Sequence, residues 1–398
     1  MNVKKILLIA LSFYLLSFAI AGCTKSPPPA PNGPPAFTEE IKIGAVLSLS
    51  GALAARGARA ADIMRLAVAE INEAGGINGK ELKLYIEDDS TNAESALSAV
   101  RKLVETEEVH FILGPMTSGA VNAVGPYVSK ERVLTISPSD TSPMLSGQNF
   151  RDYVFRTCPS DALQGKAMAE IAIKEGLQRI VILAMNNTYG VYLGESAEEA
   201  LAEAGIKVVK FIKYDRALAD YQSELSAINE MGPDGIIHVG YSADSRVIYS
   251  QAFELGMDRI SWIVPDGVYD SEIFADMAGI QFMAAAVTGI RPAVPAEDEL
   301  FKEFTRIYTQ KFTAQPEMFS TIVYDTVKML AMAIEFAGSE EPEKVREALL
   351  QVGHDYRGVS GIITFDAVGD RVSGTYEVWK VSDEGGEYKF AVTGFVAF

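Results

Sequence analysis

Apolar and polar positions along the chain switch repeatedly between a period of two and a period near 3.6, the marks of strands and helices. "IKIGAVLSL" reads as a strand, residues 58–74 as a helix on which Ile63, Leu66, Ala67, Ala69, Glu70 and Ile71 give a mixed face, and "ELKLYIEDD" as a second strand. Residues 93–105 then predict a helix, "VHFILGP" a strand, 119–130 a helix and "VLTISP" a strand. Glycines in "EAGGINGK" supply a helix stop and a turn. A second series follows Cys158: helices over 164–175, 190–204, 221–230 and 243–255 alternate with strands "RIVILAMN", "KVVKFIKY", "GIIHVG" and "SWIVPDG". Near-continuous apolar strands joined by helical crossovers predict α/β lobes with parallel sheets covered on both faces. Helices over 297–312 and 321–336, then "GIITFD" and the strand pair "TYEVWKV" and "YKFAVTGFV", fit no simple tandem. The chain is therefore expected to pass between the lobes more than once.

The N-terminus reads differently. Lys4 and Lys5 precede an apolar run that closes on Ile20-Ala21-Gly22-Cys23, a secretory signal over residues 1–22 with small residues before the cysteine. The ending resembles a lipobox, which implies cleavage before Cys23, lipid on its thiol and an extracytoplasmic, membrane-anchored protein. "SPPPAPNGPPAF" follows within a linker over 23–38, where clustered prolines favour an extended spacer. The remaining body, about 360 residues, exceeds what one core usually organises. Lobe 1 is expected to combine 39–158 with 290–374, and lobe 2 159–289 with 375–398.

Composition adds exclusions. A formal charge of −18 leaves no basic surface for nucleic acid. With Cys23 lipidated, Cys158 has no partner for a disulfide and reads as a small buried residue. No G-x-G-x-x-G follows the first strand, and neither a phosphate-binding G-x-x-x-x-G-K-[ST] nor a G-x-S-x-G elbow occurs. His110, His238 and His354 lie far apart, so no base stands near a serine and no metal set is evident. Neither an enzyme, a cofactor nor a metal is expected; non-covalent binding remains.

Ligands of open parallel sheets bind outside the carboxyl ends of the strands. The loops there are "SLSGALAARG", "GPMTSG", "SPSDTSP", "MNNTYG", "GYSADS" and "PDGVYD", rich in hydroxyls, glycine and aromatics. In order and register these runs, with "AEINEAGGINGKELKLYIEDD" and "VFRTCPSD", resemble the branched-chain amino acid binding proteins of bacterial ABC importers, the type I periplasmic binding protein fold. The resemblance spans nearly all of 41–398. It implies two Rossmann-like lobes joined by three crossover strands, hinge closure on an amino acid, delivery to an ABC permease and a monomeric receptor. By position it carries ligand contacts to Ser118, Ser139 and Thr141 in one lobe and to Tyr189, Tyr241 and Asp266 in the other. Hydroxyls and backbone N–H groups would hold the ligand's carboxylate, the Ser139 carbonyl would help hold the ammonium, and Asp266 would pair with it. A desolvated zwitterion needs both kinds of partner.

Departures from the family pattern concern Arg56, which stands where an aromatic borders the ligand's side chain, Asn92 and Thr117, which replace a cysteine pair, and Asp140, which replaces a small apolar residue. Arg56, Thr117 and Asp140 are thus candidates for the side-chain pocket; Arg56 either enters the cleft and admits a polar or acidic side chain, or turns to solvent. Alternative functions are an extracytoplasmic sensor feeding a signalling partner, and a receptor for an amide, urea or aromatic acid.

Overall fold

β1 (Glu40–Leu47) opens the folded body and is buried except at Glu40 and Lys42. The structure, a computed structural model, describes residues 37–216 and 218–398. The signal segment, Cys23 and nearly all of the proline-rich linker lie outside them.

After β1 come α1 (Ala54–Glu73), β2 (Glu81–Asp88), α2 (Ala93–Glu105), β3 (Phe111–Leu113), α3 (Ser118–Glu131), β4 (Leu134–Ser137) and β5 (Val154–Arg156). Their strands form one parallel sheet in the order β2-β1-β3-β4-β5. Asn92 caps α2 by accepting from Glu94 N and Ser95 N, and Thr117 caps α3 by accepting from Ala120 N. These two side chains thus satisfy helix N–H groups that have no partner within their own helices. α1 starts earlier than its periodicity predicts. Gly57 allows this, because a Cβ there would lie 2.0 Å from Ser48 O, so only glycine lets the first turn rest on the end of β1.

The second lobe runs α4 (Asp161–Lys174), β6 (Arg179–Met185), α5 (Thr188–Glu203), β7 (Lys207–Tyr214), α6 (Gln222–Met231), β8 (Gly235–Val239), α7 (Ser242–Glu254), β9 (Ser261–Val264), α8 (Met277–Ala286) and β10 (Val287–Pro292). α9 (Glu299–Phe312), α10 (Met318–Ala337), α11 (Pro342–Val352), β11 (Tyr356–Gly358) and β12 (Gly361–Ile363) follow, with β11 and β12 in a two-stranded ribbon of their own. Phe304, Val323, Val327 and Leu330 return these helices to the first lobe's core, packing with Ile43, Ile63 and Phe111. β13 (Thr375–Asp383) and β14 (Tyr388–Ala397) then complete the second sheet, ordered β14-β13-β10-β9-β8-β6-β7.

This sheet is not wholly parallel, since β13 runs antiparallel to both β10 and β14. The segments that carry the chain between the sheets, 157–160, 293–298 and 364–374, lie side by side. Ala293 N donates to Thr375 O at 2.7 Å, and Arg371 Nη1 donates to Thr157 O at 3.2 Å.

Candidate ligand-binding cleft

The hydroxyl-rich loop after β4 is built by bonds that each side chain makes on a different neighbour. Ser137 Oγ donates to Pro115 O at 2.7 Å and accepts from Asp140 N at 2.9 Å. Ser139 Oγ donates to Met116 O at 2.7 Å, so the loop is stapled to the strand-end turn that precedes α3. Thr141 Oγ1 donates to Asp161 Oδ2 at 2.7 Å, and Ser142 Oγ donates to Thr188 O at 3.4 Å, both reaching elements of the other lobe. The loop thereby lies against the start of α3, where Ser118 Oγ accepts from Ser142 N at 3.4 Å, Thr117 caps Ala120 N, and Ser118 borders the space between the lobes.

Across that space Tyr189 lies in the first turn of α5, and Tyr241 occupies the cap position of α7. Their rings stack with centroids 5.5 Å apart and planes 11° apart. Asp266 opens a short 3-10 turn directly after Pro265 ends β9. It is 3% exposed, and Gln164 Nε2 donates to its Oδ1 at 2.7 Å. Burial pushes its carboxyl above the usual range, while the Gln164 bond and the Arg56 charge oppose that shift. A Cβ on Gly267 would come within 2.6 Å of both Tyr189 Oη and Gly240 O, so this glycine is what lets the tyrosine lie against the turn.

One cavity joins these groups. It is lined by Ser118, Ser139 and Thr141 from one side and by Tyr189, Tyr241 and Asp266 from the other. Arg56 and Thr117 line it as well. Arg56 does not turn to solvent: it is buried, its Cζ lies 4.5 Å above the Phe319 ring, and Nη2 donates to Tyr269 O at 3.2 Å. Leu53, Met116, Gly267 and Phe319 complete the wall. Phe319 comes from the start of α10, and nothing in its local pattern marks it.

Asp140 corrects the sequence reading, because it is absent from this lining and lies fully buried behind the loop. The positive charge of Arg156, and then that of Arg151, favours its carboxylate, although burial outweighs them and raises its pKa. Arg156 in turn pairs with Asp370, through Nε at 2.7 Å and Nη2 at 2.8 Å, and donates to Ser142 O at 2.8 Å. Arg151 also pairs with Asp370. Asp140 thus belongs to a buried charge cluster that fixes the loop from below. The hydroxyls also differ from expectation. A hydroxyl has one proton, and those of Ser139 and Thr141 are spent on Met116 O and Asp161, so toward the cavity both side-chain oxygens accept rather than donate.

The lobes touch on both flanks of the cavity. Arg59 Nη2 lies 2.6 Å from Asp270 Oδ2, Arg216 Nη2 donates to Thr91 O at 3.2 Å, and Leu53 packs into the core of the second lobe. The cleft is therefore shut. A larger void, ≈ 940 Å³, lies beside the crossing segments. Arg371 is among its lining residues and donates through Nη1 and Nη2 to the carbonyls of Thr157, Ser360 and Ile362.

The cleft geometry has relatives. A family model described as periplasmic binding protein matches residues 40–387. A leucine-, isoleucine-, valine-, threonine- and alanine-binding protein of Pseudomonas aeruginosa is 28% identical over 339 residues, covering 84% of this chain and 89% of the relative. Among solved structures, the leucine binding protein LivK of Thermotoga maritima superposes with a TM-score of 0.80 at 26% identity, covering 88% of this chain and 98% of that one. The substrate binding protein LivJ of Streptococcus pneumoniae, in complex with isoleucine, gives 0.78 at 28% identity, with 89% and 99% covered.

Proposed function

Because the chain belongs to the periplasmic binding protein family, we propose that it captures an α-amino acid between its lobes and delivers it to the membrane permease of an ABC importer. The observation that carries this reading is the meeting of Asp266 with the N-terminus of α3 in one closed cavity. A zwitterion shut away from water needs donors at one pole and a full negative charge at the other. The backbone N–H groups at the start of α3, beginning with that of Ser118, receive the carboxylate, where the helix terminus favours negative charge. Asp266, with the Thr141 hydroxyl oxygen and the Ser139 carbonyl, receives the ammonium. The Tyr189–Tyr241 stack covers the ligand from the second lobe. Contacts divided between the lobes make binding itself favour closure.

Capture is extracytoplasmic in this reading, by a monomer held at the membrane through lipid on Cys23. Among the described residues no helix is long and apolar enough to cross a membrane. A Cys23→Ser protein is expected to leave the membrane fraction; retention there would remove the lipid anchor from the account. The binding reading is tested by calorimetric titration of the common amino acids. At least one binds the unmodified protein, and Asp266→Asn, which keeps the shape and the Gln164 bond, weakens that ligand on the order of 100-fold. Unchanged affinity would exclude an ammonium partner at this position.

A further inference from the structure

The cavity holds a cation, Arg56, whose charge bears on Asp266 and Glu317 while, among the described residues, no carboxylate bonds it directly. Arg56 has five N–H donors, and among the described residues one of its nitrogens, Nη2, has a protein acceptor, the Tyr269 carbonyl. Its Nε is buried and has no partner. The carboxylates nearby are engaged elsewhere. Asp270 and Glu317 both pair with Arg59, at 2.6 Å and 3.3 Å, and Asp266 accepts from Gln164. Arg56 cannot escape to water, because Phe319 supports one face of the guanidinium and Tyr269 O holds its end.

Arg56 also stands where the cavity continues. A second, small pocket shares Arg56, Met116, Ser139 and Phe319 with the first, and its far wall includes Ala60, Ile63 and Val323 together with the paired Arg59 and Glu317. A side chain leaving the Asp266 end of the ligand toward this void passes the guanidinium. An aliphatic side chain there would exclude water from Arg56 and return no acceptor, which leaves a charged donor unsatisfied. A carboxylate or carboxamide oxygen would satisfy it in the planar geometry that a guanidinium presents.

Resting on the amino-acid reading above, we infer that the ligand is an α-amino acid whose side chain ends in a carboxylate or carboxamide, received by Arg56. Leucine-type side chains are the disfavoured class.

The full-length protein, freed of co-purified ligand by dialysis from denaturant and refolding, is titrated calorimetrically with aspartate, glutamate, asparagine, glutamine, leucine, isoleucine, valine and phenylalanine. The expected result is that the tightest of the first four binds at least tenfold more tightly than the tightest of the last four. Arg56→Met is expected to lose that preference. An apolar amino acid that matches or exceeds the first four overturns the inference while leaving amino-acid capture intact, and this ranking needs only the unmodified protein. A folded Arg56→Met protein that keeps the preference overturns the role of Arg56. If none of the amino acids binds, the inference and the reading it rests on both fall.

Discussion

Thr141 Oγ1 donates its one proton to Asp161 Oδ2 at 2.7 Å, so the carboxylate of one lobe decides how the hydroxyl of the other faces the ligand. Burial, and then the charge of Asp266, push the Asp161 carboxyl well above its ordinary range. Two substitutions separate the partners. Thr141→Val removes the oxygen from the cavity and leaves Asp161 without this donor, so ligand affinity should fall about 10-fold or more and stability by about 1–3 kcal/mol. Asp161→Asn keeps the bond's shape but offers an amide whose N–H groups compete as donors; affinity should fall less than in Thr141→Val. Calorimetry and chemical denaturation check both. Equal affinity in all three proteins would remove Thr141 from the ligand's surroundings.

Gly267→Ala places a methyl where Tyr189 Oη and Gly240 O lie at 2.6 Å. Backbone atoms cannot yield cheaply, so the turn that carries Asp266 must shift. The dissociation constant should rise at least about 10-fold, since displacement of a binding group by about 1 Å is costly. Titration of the variant with wild-type affinity would mean the turn adapts without cost.

The ion pair between Arg59 and Asp270 joins α1 to the loop beyond Asp266 across the shut cleft, and parting the lobes would break it. Arg59→Met takes a stabilising contact from the closed form alone, so the open form gains population. Affinity should fall severalfold, roughly the effect of 1 kcal/mol. Small-angle scattering of the unliganded variant should give a larger radius of gyration than the parent; an unchanged radius together with lower affinity would assign Arg59 to the ligand pocket instead.

Asp370 is the partner of two buried guanidinium groups, those of Arg151 and Arg156. Asp370→Asn leaves them facing each other with Asp140 as their remaining carboxylate, and the protein should lose about 3–5 kcal/mol. Denaturation in urea measures this. A loss below about 1 kcal/mol would show that the cluster does not hold the loop.

His238 sits fully buried on β8, with Nδ1 2.9 Å from Tyr249 Oη and Nε2 3.2 Å from Tyr214 Oη. Burial lowers its pKa from 6.5 to about 3. Between those values the unfolded chain binds the proton and the folded chain does not. Its contribution is therefore complete above 6.5 and declines as pH falls toward 3, by up to about 1.4 kcal/mol per pH unit. A folded His238→Gln protein should show a correspondingly shallower loss of stability between pH 6 and pH 4, read by denaturation at each pH. Identical slopes would mean the imidazole is protonated in the native protein.

The alternation of strands and helices was legible because the central parallel strands are near-continuous apolar runs, the edge strands β2 and β7 interleave charged with apolar residues, and the helices between them carry polar faces. Strand-end loops also share one location in such sheets, which grouped the six loops without coordinates, while the choice of Ser118, Thr141 and Asp266 within them came from the resemblance to a family. Other features depend on distance in the chain rather than on local pattern. The apolar run over 277–290 divides into α8 and β10, and hydrophobicity alone cannot place that division. β5 is three residues long and gives no period to read. Asp140 turns away from the cavity because Arg151, Arg156 and Asp370 gather beneath the loop, a relation between residues more than 200 positions apart in part. Phe319 reaches the cavity from a helix that the sequence marks only as amphipathic.

The side-by-side segments at 157–160, 293–298 and 364–374 mean that neither half of the molecule is a continuous stretch of polypeptide. A fragment ending near Pro292 would lack α10, which supplies Phe319 and much of one core, and would leave the edge of β10 without β13. Synthesis must therefore run almost to its end before either half can finish assembling, and dissection of the protein into separately folding pieces would have to join distant segments by circular permutation rather than cut once.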